Sequence, residues 1–181
     1  MLMHKLPRDF YERDTVLVAR ELLGKYLVHG EFAGKIVEVE GYLGQQDLAS
    51  HSSRGITKRT EVMYGPPGYA YVYLIYGMYH CMNVVTEAKG IGSAVLLRAI
   101  EPVKNITGRT QGPGLLTKAM HIDIRLNRHD LQSNDFFIAE GPPQLPFVIV
   151  EKPRIGIHFA QEWVEKPLRF YIKDNPFISK L

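Results

Sequence analysis

The sequence has little that would tie it to a membrane, an oxidising compartment or a metal. It contains one cysteine, Cys81, so an internal disulfide is excluded and a reducing compartment is favoured. No apolar run approaches the length that spans a bilayer, and the first 14 residues contain no signal-peptide core. His80 and Cys81 are adjacent, but no second pair stands at zinc-binding spacing. These absences predict a cytoplasmic protein that holds no metal.

The motifs of several common enzyme classes are also absent. There is no GxSxG nucleophile elbow, no GxxxxGK[ST] phosphate loop and no GxGxxG dinucleotide loop. Repeats, heptads and linker composition are not apparent either. With 181 residues, 45% of them apolar, the chain can bury one continuous core, so we expect a single domain over residues 1–181. A net charge of +3 supports a nucleic-acid partner only weakly.

The hydrophobic pattern predicts a strand-rich α/β mixed chain. Apolar residues at helical spacing follow Asp14 or Thr15 and stop at Gly24, which predicts one helix. Pro113 suits a first helical turn, so a second helix is expected to run from there to about Met120. Residues 127–134 are polar and are expected to form a surface loop. Concentrations of β-branched and aromatic residues predict strands at 26–29, 35–42, 70–76, 79–86, 94–100, 136–139, 148–151 and 168–172.

A carboxylate and an aromatic ring are predicted to share one strand face. Glu40 and Tyr42 lie two residues apart in the segment IVEVEGYLGQQDLASH, and such residues point the same way in an extended strand. A strand glutamate is most often solvated, but here the strand runs into a glycine-containing loop, where catalytic residues are often found. Glu38 and Glu40 also suggest a glycosidase-like pair. Both would project from one wall instead of flanking a bond, so we discount that arrangement.

The segment YAYVYLIYGMYHCMN has five tyrosines within eleven residues around Gly77, which suits a tight hairpin turn. Strand parity turns Tyr73 towards a pocket and places Tyr76 near the tip with Met78. Tyrosines are good strand formers, but packing does not readily explain why two apolar side chains, Tyr76 and Met78, flank a turn. Exposed apolar side chains of this kind are typical of wedges that insert between the base steps of DNA. Together with Glu40, the hairpin suits stacking of a planar base beside acid–base chemistry.

Basic residues flank these aromatic segments. Arg54, Lys58 and Arg59 form a short cluster, and Lys118 lies in the second predicted helix. Any one of them is more often a solvated charge, but as a set they could contact phosphates. The Gly112-Pro113-Gly114 turn could present backbone N–H groups to a phosphate, although this pattern is common and weak on its own.

Taken together, these blocks resemble the alkyladenine, or 3-methyladenine, DNA glycosylases of the mammalian type. The resemblance runs from about residue 35 to 178, through VEVEGYLGQQDLASHS, TKRTEVMYGPPGYAYVYLIYGMYHCMNVV, AVLLRAIEP, QGPG and EKPLRFYI in the same order. It implies a protein that flips a damaged purine into a pocket and hydrolyses its N-glycosidic bond without metal or cofactor. We therefore expect an α+β fold with a curved, mostly antiparallel sheet, surrounding helices and a protruding β-hairpin.

The resemblance also implies roles for individual residues. Glu40 matches the general base for the attacking water, Arg98 an arginine beside that water, and Ile155 a position whose main-chain carbonyl touches it. The base pocket is matched by Tyr42, Ala49, His51, Tyr73, Asn83 and Leu96. Asn83 matches an asparagine that clashes with the amino group of guanine. Tyr76 and Met78 match the residues that enter the duplex. Positions at the DNA backbone are matched by Thr57, Arg59, Met63, Tyr79, Gly112 and Lys118.

One departure from the family concerns a phosphate contact. Leu115 stands where the family typically has lysine, so either Lys118 replaces that contact or the contact is lost. No lysine adjoins Glu40 or Tyr42, which favours water as nucleophile and no strand-nicking activity. The expected partner is double-stranded DNA with damaged purines, bound by a cytoplasmic monomer that is nucleoid-associated if bacterial. The alternative is a non-catalytic nucleic-acid-binding module whose tyrosine hairpin stacks bases.

Overall fold

The structure is a computed structural model that describes residues 3–181. Its helices are α1 (Arg8–Tyr11), α2 (Thr15–Leu22) and α3 (Pro113–Ala119), with 3₁₀ turns at His51–Arg54, Ile124–Leu126 and Gln161–Trp163. The strands are β1 (His4–Lys5), β2 (Tyr26–His29), β3 (Phe32–Tyr42), β4 (Ala70–Ile75), β5 (Tyr79–Thr86), β6 (Ser93–Lys104), β7 (Phe136–Glu140), β8 (Ile149–Lys152) and β9 (Arg169–Ile172). Within residues 3–181, no helix has both the length and the apolarity to cross a membrane.

All nine strands belong to one antiparallel sheet, ordered β1-β7-β2-β3-β6-β5-β4, with β9 on β3 and β8 on β9. β3 has two partners along one edge: residues 32–35 pair with β2, whereas residues 38–40 pair with β9. The sheet is curled, and β2 and β9 share this edge of β3 without overlapping. The expected α+β fold with a curved antiparallel sheet is confirmed, and every strand pair within residues 3–181 is antiparallel.

Helix α2 covers the sheet and closes the main core. It begins as predicted, because the Asp14 side chain accepts a hydrogen bond from the Leu17 N–H at 3.0 Å. Its buried residues include Val18, Ala19 and Leu22, which join Ile36 and other strand side chains in one apolar cluster. Helix α2 therefore packs on one face of β3. The C-terminal end of β3 remains free to form a site.

The sequence prediction placed the elements well but misjudged some of their ends. β3 begins at residue 32 and β6 continues to residue 104, beyond the predicted 35 and 100. The extension passes through Gly34 and Pro102, which face each other across the two strands. Both residue types lower strand propensity, so a local pattern does not detect this part of the ladder. The Ile100 side chain packs close to Gly34, where a Cβ would lie 2.5 Å from it.

Strands β4 and β5 form the predicted protruding hairpin. Its turn has positive φ at both Tyr76 (+53°) and Gly77 (+68°), and the Met78 N–H donates to the Ile75 carbonyl at 3.3 Å. The strand therefore ends at Ile75, one residue earlier than predicted, because Tyr76 itself takes part in the turn. A positive φ is uncommon for a bulky residue, so the turn holds this ring in an unusual backbone conformation.

Candidate active site

A cavity of about 400 Å³ opens at the base of the hairpin. All nine residues predicted for catalysis and for the base pocket line it. They are Glu40, Arg98, Ile155, Tyr42, Ala49, His51, Tyr73, Asn83 and Leu96. They come from four strands and from the segments around Ala49 and Ile155, which are far apart in the chain, and the curled sheet brings them together.

Strand register explains how the cavity floor is assembled. Glu40 on β3 lies opposite Leu96 on β6, Leu96 opposite Asn83 on β5, and Asn83 opposite Tyr71 on β4. Residues directly opposite each other in an antiparallel sheet point to the same face. Four neighbouring strands thus present one row of side chains to the cavity, with the carboxylate at one end and an aromatic ring at the other.

Glu40 is fully buried, yet its carboxylate borders the cavity. One oxygen, Oε2, accepts from the Ile155 main-chain N–H at 2.7 Å. The other, Oε1, accepts from the Tyr42 hydroxyl at 3.0 Å and lies 3.5 Å from Arg98 Nη1. These contacts hold the carboxylate in one orientation. The Ile155 N–H contact was not predicted, and the predicted contact of its carbonyl with a water molecule stays a prediction.

Two irregularities of the sheet aim Arg98 at the carboxylates. The pairing of β3 with β6 shifts register three times, and at two of these shifts Val37 and Arg98 have no residue directly opposite them. Extra residues of this kind redirect side chains and are common beside active sites. Burial alone would lower the pKa of Arg98, but the carboxylates of Glu40 and Glu38 outweigh it and raise that pKa. The guanidinium is therefore a fixed positive charge at the cavity floor.

Glu38 has a different environment although it is only two residues away. It is fully buried, and its Oε1 accepts from Arg98 Nε at 3.1 Å and from the Ser179 hydroxyl at 2.7 Å. Arg169 Nη1 lies 3.4 Å from the same oxygen, and the Ser179 N–H donates to Oε2 at 2.5 Å. Because Glu38 is committed to these contacts and does not line the cavity, the two glutamates do not form a glycosidase-like pair.

Aromatic rings form the walls. The ring centroids of Tyr73 and Tyr71 are 5.2 Å apart, and those of His51 and Tyr73 are 4.7 Å apart. His51 Nδ1 lies 2.8 Å from the Tyr71 hydroxyl. Burial lowers the pKa of His51 to about 4, with further lowering by the charges of Arg59 and Arg54, so the imidazole is neutral at pH 7. The walls thus present flat, uncharged rings.

The Asn83 side chain is buried and fixed. Its Nδ2 donates to the Tyr71 carbonyl at 3.1 Å, which sets the direction of the amide plane beside the cavity. An amide that cannot turn away presents a fixed polar edge to whatever enters. This rigidity is the property that a residue needs if it is to exclude one purine and admit another.

The residues predicted to meet DNA lie mainly on the surface around the cavity. Tyr76 is 86% exposed and Met78 is 68% exposed at the hairpin tip. Thr57, Arg59, Tyr79 and Lys118 are exposed, whereas Gly112 is partly covered. Met63 differs, since it is 3% exposed and packs with Tyr71 and Val85. Its side chain does not reach the surface, so a contact of Met63 with DNA would involve the main chain.

The sequence interpretation missed two buried charged residues, Asp47 and Arg154, which form an ion pair beside Tyr42. They are 107 positions apart, and no local pattern marks either of them. It also missed Phe159, an exposed ring at the cavity rim. Within residues 3–181, no group of three or more His, Cys, Asp or Glu side chains is arranged to hold a metal ion.

The chain is similar to known proteins over almost its whole length. The sequence model of the family described as Methylpurine-DNA glycosylase matches residues 9–176. A Legionella pneumophila (strain Corby) protein is 71% identical over 182 residues, covering 98% of this chain and 100% of that protein. A Myxococcus xanthus protein is 47% identical over 184 residues (98% and 95%), and one from Alkaliphilus oremlandii is 49% identical over 201 residues (97% and 99%). All three are provisionally named as 3-methyladenine DNA glycosylases.

Proposed function

Because this chain belongs to the methylpurine-DNA glycosylase family, we propose that it acts in base-excision repair on double-stranded DNA with alkylated or deaminated purines. The observation that carries the mechanism is the buried Glu40 carboxylate, oriented by three contacts at the floor of an aromatic-walled cavity. Burying a carboxylate is costly, so a site that keeps one beside an open cavity is suited to using it.

In the proposed reaction, a purine is flipped out of the duplex and stacks against Tyr42 and Tyr73. A water molecule attacks C1′ of the deoxyribose, and Glu40 accepts its proton. The new C–O bond forms as the N-glycosidic bond breaks, and the purine leaves with the electron pair. Arg98 and the Ile155 main chain keep the carboxylate in place, so general-base catalysis needs no rearrangement.

Two kinds of base would leave by different routes. An alkylated purine carries a positive charge, is attracted to the faces of tyrosine rings and leaves as a neutral base. A neutral base such as hypoxanthine needs a proton or a hydrogen bond at the ring. Neutral His51 or its backbone N–H supplies that donor in our proposal: when Nδ1 accepts from Tyr71, Nε2 carries the imidazole proton.

The surface around the cavity is proposed to hold the duplex. Tyr76 fills the gap left by the flipped nucleotide, and Met78 acts as the neighbouring wedge. Phosphates are contacted by the residues already matched to the DNA backbone, with Lys118 in place of the lysine that is absent at position 115. In this proposal, residues 1–181 form one glycosylase domain that works as a cytoplasmic, DNA-associated monomer without metal or cofactor.

The alternative is a non-catalytic module that stacks bases on the tyrosine hairpin, and such a module would not require Glu40. The test is release of free base from duplexes with one hypoxanthine or one 7-methylguanine, measured with wild type and Glu40→Gln. We expect release by wild type and by the control Glu31→Gln, whose side chain is exposed and remote. Strands should break only after alkali treatment. Equal release by Glu40→Gln would remove Glu40 from the mechanism, and no release by wild type would favour the module.

A further inference from the structure

A buried ion pair lies directly behind one wall of the pocket. Arg154 Nη1 is 2.6 Å from Asp47 Oδ2, and Nη2 is 2.9 Å from Oδ1, with both side chains fully buried. Arg154 Nη1 also donates to the Gly41 carbonyl at 2.9 Å. Asp47 accepts further bonds from the main-chain N–H groups of Leu43 (2.9 Å) and Ala49 (3.0 Å). Four donors therefore contact the carboxylate, two from Arg154 and two from the main chain.

The Arg154 guanidinium covers one face of the Tyr42 ring. Its Cζ is 4.8 Å from the ring centroid. Tyr42 lines the cavity whereas Arg154 does not, so Arg154 lies on the side of the ring that faces away from the cavity. A purine in the cavity can stack only on the other face. Base and guanidinium would then lie on opposite faces of one ring, roughly 8 Å apart if the stacking distance is about 3.5 Å.

A cation on each face of one ring is an unfavourable arrangement unless a negative charge compensates. We propose that Asp47, by neutralising Arg154 behind Tyr42, sets the preference of the pocket between cationic and neutral purines. The inference rests on the proposed function, since it concerns the base that the cavity binds. With Asp47 in place the ring attracts a cationic base normally; without it, the base meets an uncompensated positive charge.

Coulomb's law gives the size of the effect. One unit charge at roughly 8 Å, at an effective dielectric constant of about 20, changes the binding of a cationic base roughly thirtyfold. A neutral base feels this charge only through its dipole, so its binding changes much less. The signature is therefore a change in the ratio between two substrates, which a general loss of stability does not produce.

The experiment uses Asp47→Asn, Arg154→Met and the double variant. The measurement is the ratio of single-turnover excision rates, cationic 7-methylguanine to neutral hypoxanthine, in duplexes of one sequence. We expect the ratio to fall roughly thirtyfold in Asp47→Asn, to rise in Arg154→Met and to return near wild type in the double variant. Asp123→Asn and Arg125→Met form the control, since this more exposed pair also lies within 2.7 Å and should leave the ratio unchanged.

Opposite shifts in the two single variants would support the proposal. An unchanged ratio, or shifts in the same direction, would overturn it. If Asp47→Asn does not fold, Arg154→Met and the double variant decide by the same criterion. Binding of cationic 7-methylguanosine against neutral inosine, followed by tyrosine fluorescence, repeats the comparison without catalysis. It therefore tests the charge argument even if wild type excises neither base, an outcome that would count against the proposed function alone.

Discussion

The cavity floor and the hairpin tip are built in opposite ways. At the floor, Glu40 is fully buried, and three groups contact its carboxylate. At the tip, Tyr76 is 86% exposed, and no side chain within residues 3–181 makes a hydrogen bond or ring contact with it. A proton acceptor must be oriented before the substrate arrives, whereas a wedge has no partner until a duplex supplies one. Substitutions in the two regions should therefore impair different steps of the reaction.

The largest effect should separate Glu40 from Glu38 within the floor itself. Glu40→Gln is expected to bind lesion DNA about as well as wild type but to excise on the order of 10²-fold more slowly or worse, because no proton acceptor remains. Glu38→Gln is expected to cost about 3–5 kcal/mol of folding free energy, because Arg98 and Arg169 lose their shared carboxylate. Single-turnover rates and denaturant unfolding measure the two quantities.

If Glu38→Gln slows excision by the folded protein as much as Glu40→Gln, the distinction between the two glutamates is wrong. If it folds with wild-type stability, the buried contacts of Glu38 contribute less than their geometry indicates. Glu31→Gln, at an exposed position, is the control for both measurements.

The next effect concerns the tip. Tyr76→Ala is expected to weaken excision from duplex DNA about tenfold, because the ring offsets part of the few kcal/mol that unstacking costs. A single-stranded substrate has no gap to fill, so its excision should change much less. Rates on matched duplex and single strands measure this, with Leu74→Ala, another exposed hairpin side chain, as the control. Equal loss on both substrates would assign Tyr76 to the pocket or to the fold.

A smaller effect should follow at the pocket edge. Asn83→Ser shortens the fixed amide and makes room for a 2-amino group, so excision of 7-methylguanine should rise several-fold relative to hypoxanthine. The ratio of the two single-turnover rates is the measurement, and Thr86→Ser, further along β5, is the control. With a correctly folded variant, an unchanged ratio would place the selectivity elsewhere in the pocket.

The last comparison concerns stability and its dependence on pH. The pKa of His51 is about 4 in the folded protein against an ordinary value of 6.5. Between these values the unfolded state binds the extra proton, so stability falls as pH drops from 6.5 towards 4. His51→Gln should flatten this slope relative to wild type by up to one proton. Unfolding free energies measured between pH 4 and 7 provide the comparison, and equal slopes would contradict the lowered pKa.

Much of the pocket could be predicted from sequence because it depends on strand parity and on a distinctive family pattern. Glu40 and Tyr42 share a wall because they are two residues apart in an extended segment. Gly77 predicted the hairpin turn, and the tip of the hairpin is exposed as expected. Parity failed in detail at Tyr76, because the turn takes that residue out of the strand and gives it a positive φ.

By itself, the sequence determined where most strands lie along the chain, the hairpin and the wall that Glu40 shares with Tyr42, since these follow from local alternation and composition. The other groups that face the cavity were predicted from the family resemblance. Only the tertiary structure decided which charges are paired. Glu38 and Glu40 look alike in the strand, but Arg169 and Ser179 hold one of them, while Ile155 orients the other. Burial makes such contacts strong, and they join residues more than a hundred positions apart, so no local pattern can encode them.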